Sequence, residues 1–94
     1  MAWIYGIVNN INSELEYVGQ TKGTVTYRFA AHKNGKIPMD KHMREVGVKN
    51  FSVVKLKECY EHELEALEKT YIQTLQPKYN IIYKKWQNSA RSFF

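Results

Sequence analysis

From Trp3 to Val8 the chain reads WIYGIV, dense in aromatic and β-branched side chains; Asn9, Asn10, Asn12 and Ser13 interrupt the run, and LEYV resumes it from Leu15 to Val18. Such side chains fit a pleated, half-buried surface, while Asn and Ser fit turns, so the stretch predicts a β-hairpin. TVTYRFAAHKNG follows, with Thr24 as N-cap and Asn34-Gly35 as a stop, and then PMDKHMREVG, with Pro38 in a first turn and Gly47 as the stop. Both read as short helices. FSVVKLKEC, Phe51 to Cys59, predicts a third strand with Phe51 and Val53 turned inward and Val54 and Leu56 as further core candidates. HELEALEKTYIQTL places Leu64, Leu67, Tyr71 and Leu75 at helical spacing and stops before Pro77. The order β-β-α-α-β-α predicts an α+β fold: a three-stranded antiparallel sheet flanked by helices. No linker or repeat divides the chain, so one domain is expected over residues 1–83, with a C-terminal tail over 84–94.

Composition narrows the class without naming a function. The 94 residues are 44% hydrophobic and include seven Tyr, four Phe and two Trp, enough for one core and too apolar for a disordered chain. Fourteen Lys+Arg against nine Asp+Glu leave a net charge of +5, which favours a polyanionic partner. Cys59 stands alone, so no intramolecular disulfide can form, as suits a reducing compartment. No apolar run approaches the length of about 18 residues that a membrane span needs, and the start after Met1 is too polar for a signal peptide. A cytoplasmic protein that is not secreted and has no membrane partner is expected.

Three elements carry polar side chains where apolar ones belong. Tyr5 and Tyr17 lie equally far from Ile11 on either side of the turn, so antiparallel pairing would set them nearly opposite on one sheet face. They are either a cross-strand aromatic pair or two phenols in a site. Val25, Arg28, Phe29 and His32 share one helical stripe, so a guanidinium and an imidazole point the same way as two apolar residues. Arg28 can snorkel and His32 can bond a backbone group, or both can serve chemistry. Glu68 sits in the apolar stripe of the last predicted helix, where it can pair with Arg28, lie exposed at the stripe's edge, or bind a metal. Together the three supply a base, a cation and a metal ligand, the set that phosphodiester hydrolysis needs.

The same residues carry a family resemblance. WIYGIVN (Trp3 to Asn9), YVGQT (Tyr17 to Thr21), the Arg-x-x-x-His spacing of Arg28 and His32, LEKTYI (Leu67 to Ile72) and KYNI (Lys78 to Ile81) resemble, in order, the motifs of the GIY-YIG nuclease superfamily. That superfamily includes homing endonucleases, restriction enzymes and a DNA-repair incision domain. Trp3 stands where the family usually has Gly, and Val18 stands for Ile. The resemblance implies a metal-dependent DNA endonuclease with a single-metal mechanism that leaves a 5′-phosphate and a 3′-hydroxyl. It implies Tyr5 as general base, His32 as acceptor of the Tyr5 proton, Arg28 on the charge developing at the scissile phosphate, Tyr17 on the phosphate or the attacking water, and Asn80 orienting the pocket and pinning the last segment. Glu68 would be the sole protein ligand of one Mg²⁺ or Mn²⁺. The implied partner is DNA, double-stranded, in a cytoplasmic, nucleoid-associated setting; a homodimer or an accessory DNA-binding partner stays open.

Lys22, Lys33 and Lys36, with Lys41 and Lys49, lie close to these residues in sequence and are candidates to track a DNA backbone. Cys59 and His62 have the spacing of half a zinc site, with no second pair. His42 is expected on the exposed side of its helix, and the tail, with Phe93 and Phe94, is a candidate to dock on the domain, to contact DNA or a second subunit, or to stay partly disordered. The competing reading is a nucleic-acid-binding module of the same fold that no longer cuts.

Overall fold

The computed structural model describes residues 1–91, with side-chain surroundings as far as residue 88. The chain forms β1 (Ala2–Asn9), β2 (Glu14–Thr21), α1 (Val25–His32), α2 (Pro38–Val46), β3 (Phe51–Cys59), α3 (Leu64–Leu75) and α4 (Lys78–Arg91), with short 3-10 turns at Val48–Asn50 and Glu61–Glu63. The sheet is antiparallel throughout, in the order β2-β1-β3. This is the predicted α+β fold in the predicted order, with one helix more. The added helix, α4, begins after Pro77, half-buries Tyr79, Ile82 and Tyr83 at helical spacing, and lies against α2 and β2. Residues 84–91, expected as tail, prolong it; Phe93 and Phe94 lie outside the described residues.

Both sheet faces are covered, because strand alternation divides the apolar residues into two sets. Tyr5, Ile7, Tyr17 and Phe51 pack with Val25 of α1 and with Met39 and Met43 of α2. Ala2, Ile4, Val18 and Cys59 pack with Leu64, Leu67, Tyr71 and Ile72 of α3. A register shift of β1 against β3 between Ile4 and Tyr5 leaves β3 one extra residue, and Leu56 therefore joins the second set while Phe51 and Val53 stay with the first. Val54 is exposed.

The hairpin register differs from the one expected. Tyr5 pairs with Gly19 and Ile7 with Tyr17, so the two phenols share a face but stand diagonally rather than opposite. The turn itself pairs Asn9 with Glu14, one step away from symmetry about Ile11, and an irregularity between Ile7 and Val8, which leaves Glu16 as an extra residue in β2, adds a second step. Glu16 is buried, and its Oε1 meets His42 Nε2 of α2 at 3.0 Å. His42 is thus half-buried, contrary to expectation, and its ring stacks on Tyr79 of α4 at 4.2 Å between centroids.

Candidate active site

The centre of the first sheet face is a hydrogen-bonded chain of three side chains from three elements. The Tyr5 hydroxyl meets His32 Nε2 at 2.7 Å, and His32 Nδ1 meets Asp40 Oδ1 at 2.5 Å. A carboxylate accepts and does not donate, so Nδ1–H donates to Asp40, leaving Nε2 to accept from the phenol. All three residues are buried. The His32 ring stands edge-on to both Tyr5 and Tyr17, with centroids 5.9 and 5.4 Å away.

Local sequence explains how they meet. Val25 and His32 lie seven residues apart on the buried stripe of α1, whose first turn is capped by Thr24 Oγ1 accepting from the Tyr27 amide. Asp40 is the third residue of α2, after Pro38, and its second oxygen accepts from the Ile37 amide at 3.4 Å. Two glycines make the room. A Cβ on Gly19 would enter the Tyr5 hydroxyl and ring, and a Cβ on Gly35 would enter the Asp40 carboxylate. Arg44 holds the turn between α1 and α2 by donating to the carbonyls of Gly35 (2.7 Å) and Lys33 (3.2 Å).

Electrostatics set the resting protonation states. Burial raises the Tyr5 phenol from its ordinary 10.0 to about 12, against the pull of the adjacent Arg28 guanidinium; Glu68 and Asp40 add to the rise. Tyr17 rises further, by burial and by the neighbouring Tyr5 and Glu68. Burial lowers His32 below 6.5, against the Asp40 hydrogen bond, so the ring is neutral at pH 7 and can accept a proton. Glu68 is raised by burial and by Glu65, while the Gln20 amide favours its ionised form.

The sequence-expected residues converge, with differences. Tyr5, Tyr17 and His32 are in mutual contact, and the charges of Arg28 and Glu68 both act on the two phenols. Arg28, expected to turn inward, is exposed at the rim. Glu68 is half-buried where α3 meets the edge strand β2, beside Gln20. Among the described residues the Asn80 side chain bonds only the backbone of Val18, accepting from its N–H at 2.7 Å and donating to its C=O at 2.9 Å. Those two groups face away from β1, so Asn80 closes part of the sheet edge and pins α4 to it. Lys22, Lys33 and Lys36 are exposed. Asp40 escaped the sequence reading; the available signal was an acidic residue in the first turn of a helix, which ordinarily marks a cap.

A divalent cation fits the donor set. Glu68 offers a half-buried carboxylate that has no ion-pair partner among the described residues, and the described residues contain no group of three or more His, Cys, Asp or Glu suited to a metal. One carboxylate beside phenols suits a hard ion that keeps most of its waters. His62 is exposed and stacks on Tyr60, while Cys59 is buried under the sheet.

Residues 1–80 match the GIY-YIG catalytic domain family. The chain belongs to that family, a nuclease-type domain. No curated protein and no solved structure matches it. Among the described residues no helix is long and apolar enough to cross a membrane.

Proposed function

We propose that this chain is a divalent-metal-dependent endonuclease that hydrolyses DNA phosphodiesters with Tyr5 as general base, leaving a 5′-phosphate and a 3′-hydroxyl. The observation that carries this reading is the buried chain from Tyr5 through His32 to Asp40, set beside a carboxylate, Glu68, that has no ion-pair partner among the described residues.

A phenol with a pKa near 12 is fully protonated at rest. The relay therefore works by exchange: Tyr5 passes its proton to His32 Nε2 as it takes one from the attacking water, and no free phenolate accumulates. Asp40 holds Nε2 free to accept and stabilises the imidazolium once formed. The water oxygen bonds to phosphorus and the bond from phosphorus to O3′ breaks. Arg28, at the rim, meets the charge growing on the phosphate oxygens. The Tyr17 hydroxyl, which has no partner among the described residues, is available to the phosphate or the water. Glu68 would hold the cation, which when bound supplies Lewis-acid stabilisation of the phosphate and the leaving oxygen.

Supercoiled plasmid incubated with the protein and Mg²⁺ or Mn²⁺ tests the reading. Nicking should vanish with EDTA and in Glu68→Ala, and Tyr5→Phe should lower its rate by about 10²- to 10⁴-fold, the range for loss of a general base. Salt-sensitive binding without nicking under any metal would instead identify a silent binding module.

A further inference from the structure

Beside the Tyr5 relay lies a hollow that the hydrolytic reading leaves unused. It measures about 490 Å³ and is lined by Met1, Trp3, Lys22, Lys55 and the start of α1 from Gly23 to Thr26. Its position relative to the site is fixed by register. Trp3 precedes Tyr5 by two residues on the same face of β1, and Lys55 is the partner of Tyr5 across β1 and β3.

The lining is chemically specific. Trp3 is half-buried, so its indole is held in place by the sheet while part of it faces the hollow. Lys55 Nζ sits 4.8 Å from the ring centroid on the β3 side, and the exposed Lys22 lines the hollow on the β2 side, where it follows Thr21, the partner of Trp3. The lining includes no Asp or Glu; Glu58 pairs with Trp3 across the sheet but does not line the hollow. The first backbone N–H groups of α1 have no acceptor inside the helix, which adds a weak preference for anions on the same wall.

An aromatic surface between two cations matches a nucleotide: a base for the ring, phosphates for the ammonium groups. A contact between an exposed Lys and Trp is worth only about 0.5–1 kcal/mol, so a base can displace Lys55 from the ring and leave it free for the backbone. Resting on the nuclease reading, the geometry points to this hollow as the seat of the nucleotide next to the scissile phosphate, its base unpaired and stacked on Trp3. A base stacked inside an intact duplex has both faces covered by its neighbours and must leave the stack, at a cost, to lie on a side chain. The substrate is accordingly DNA with a single-stranded or frayed segment at the cleavage point.

Binding separates this proposal from catalysis. Full-length protein in EDTA is titrated into a labelled single-stranded oligonucleotide and into the same sequence fully paired, and anisotropy is followed. Trp3→Ala should weaken single-strand binding by about tenfold or more, as for loss of one stacking aromatic, while Trp3→Phe keeps most of it and duplex binding changes little. Lys22→Ala and Lys55→Ala should each reduce the salt slope by about one. Because Trp3→Ala also disturbs a partly buried position, Trp86→Phe protein supplies a second readout: fluorescence of the remaining Trp3 should quench on binding single strands. Equal losses for both DNAs in a folded Trp3→Ala protein, or no quenching, overturns the proposal. Stacking without any metal-dependent cleavage would sustain the hollow and remove the nuclease reading; cleavage indifferent to Trp3→Ala and Trp3→Phe would do the reverse.

Discussion

Tyr5 and His32 are joined by a 2.7 Å hydrogen bond between a phenol that burial makes a weaker acid and an imidazole that burial makes a weaker base. Both shifts favour the neutral pair at rest. Under the proposed mechanism the pair would transfer a proton only when charge arrives from outside, from a phosphate with its cation, and four predictions about the site can be measured.

Asp40 should set the tautomer of His32. Asp40→Asn can turn its amide N–H₂ toward Nδ1, which moves the ring proton to Nε2 and leaves that nitrogen unable to accept from Tyr5. Single-turnover cleavage should fall by about 10²- to 10⁴-fold, as when a base is lost. Asp40→Ala should in addition lower unfolding free energy by about 1–3 kcal/mol in urea titration, because it leaves the buried Nδ1–H unpaired. Wild-type rates in Asp40→Asn would show that the acid serves the fold alone.

Stability should depend on pH in opposite senses at the two ends of the scale. His32 in the folded chain binds its proton less readily than the ordinary 6.5, so the contribution of the neutral ring is complete above pH 6.5 and is lost as pH falls from there toward the lowered folded value. Melting temperature should drop over that window, and less steeply in His32→Gln. Glu68, raised above its ordinary 4.5, acts the other way: it contributes below 4.5 and loses that contribution as pH rises through its folded value. At the alkaline end Tyr5 contributes fully below pH 10.0, and the contribution disappears as pH rises through about 12. The acid limb of cleavage should likewise lie below 6.5, since protonated His32 cannot accept. An acid-limb midpoint well above that would exclude His32 as the acceptor.

Gly19 should resist any side chain. A Cβ there would overlap the Tyr5 ring and hydroxyl, with no room on the buried face for the phenol to retreat. Gly19→Ala should cost about 1–3 kcal/mol of stability, as overpacked cores do, and should reduce cleavage more than stability alone explains. Calorimetry and a rate measured well below the melting transition separate the two effects.

Asn80 should act through the sheet edge. Asn80→Ala leaves both Val18 backbone groups without their partner, at a cost of about 1–3 kcal/mol. Hydrogen exchange at the Val18 amide should speed up. If exchange there is unchanged while cleavage falls, Asn80 touches the substrate directly.

The sequence by itself determined much of this protein. Branched and aromatic runs around Asn-rich turns fix the strands, Thr24 and Pro38 start two helices, and Gly47, with a φ of 111° that suits only glycine, ends one. The stripes that carry Tyr5, His32 and Glu68 were legible because a polar group on an apolar face stands out in a one-dimensional pattern. Register was not legible. A turn one residue longer, with Asn9 opposite Glu14, and one extra residue in β2 together move Tyr17 from opposite Tyr5 to a diagonal position, and periodicity reveals neither. Partners distant along the chain were equally hidden: Asp40 reads as a helix cap until α1 and α2 fold over the same face, and His42 reads as a surface residue until the bulge in β2 turns Glu16 toward it. Local spacing chooses the element and its buried face, whereas which groups meet depends on how those faces dock, and only the folded chain decides that.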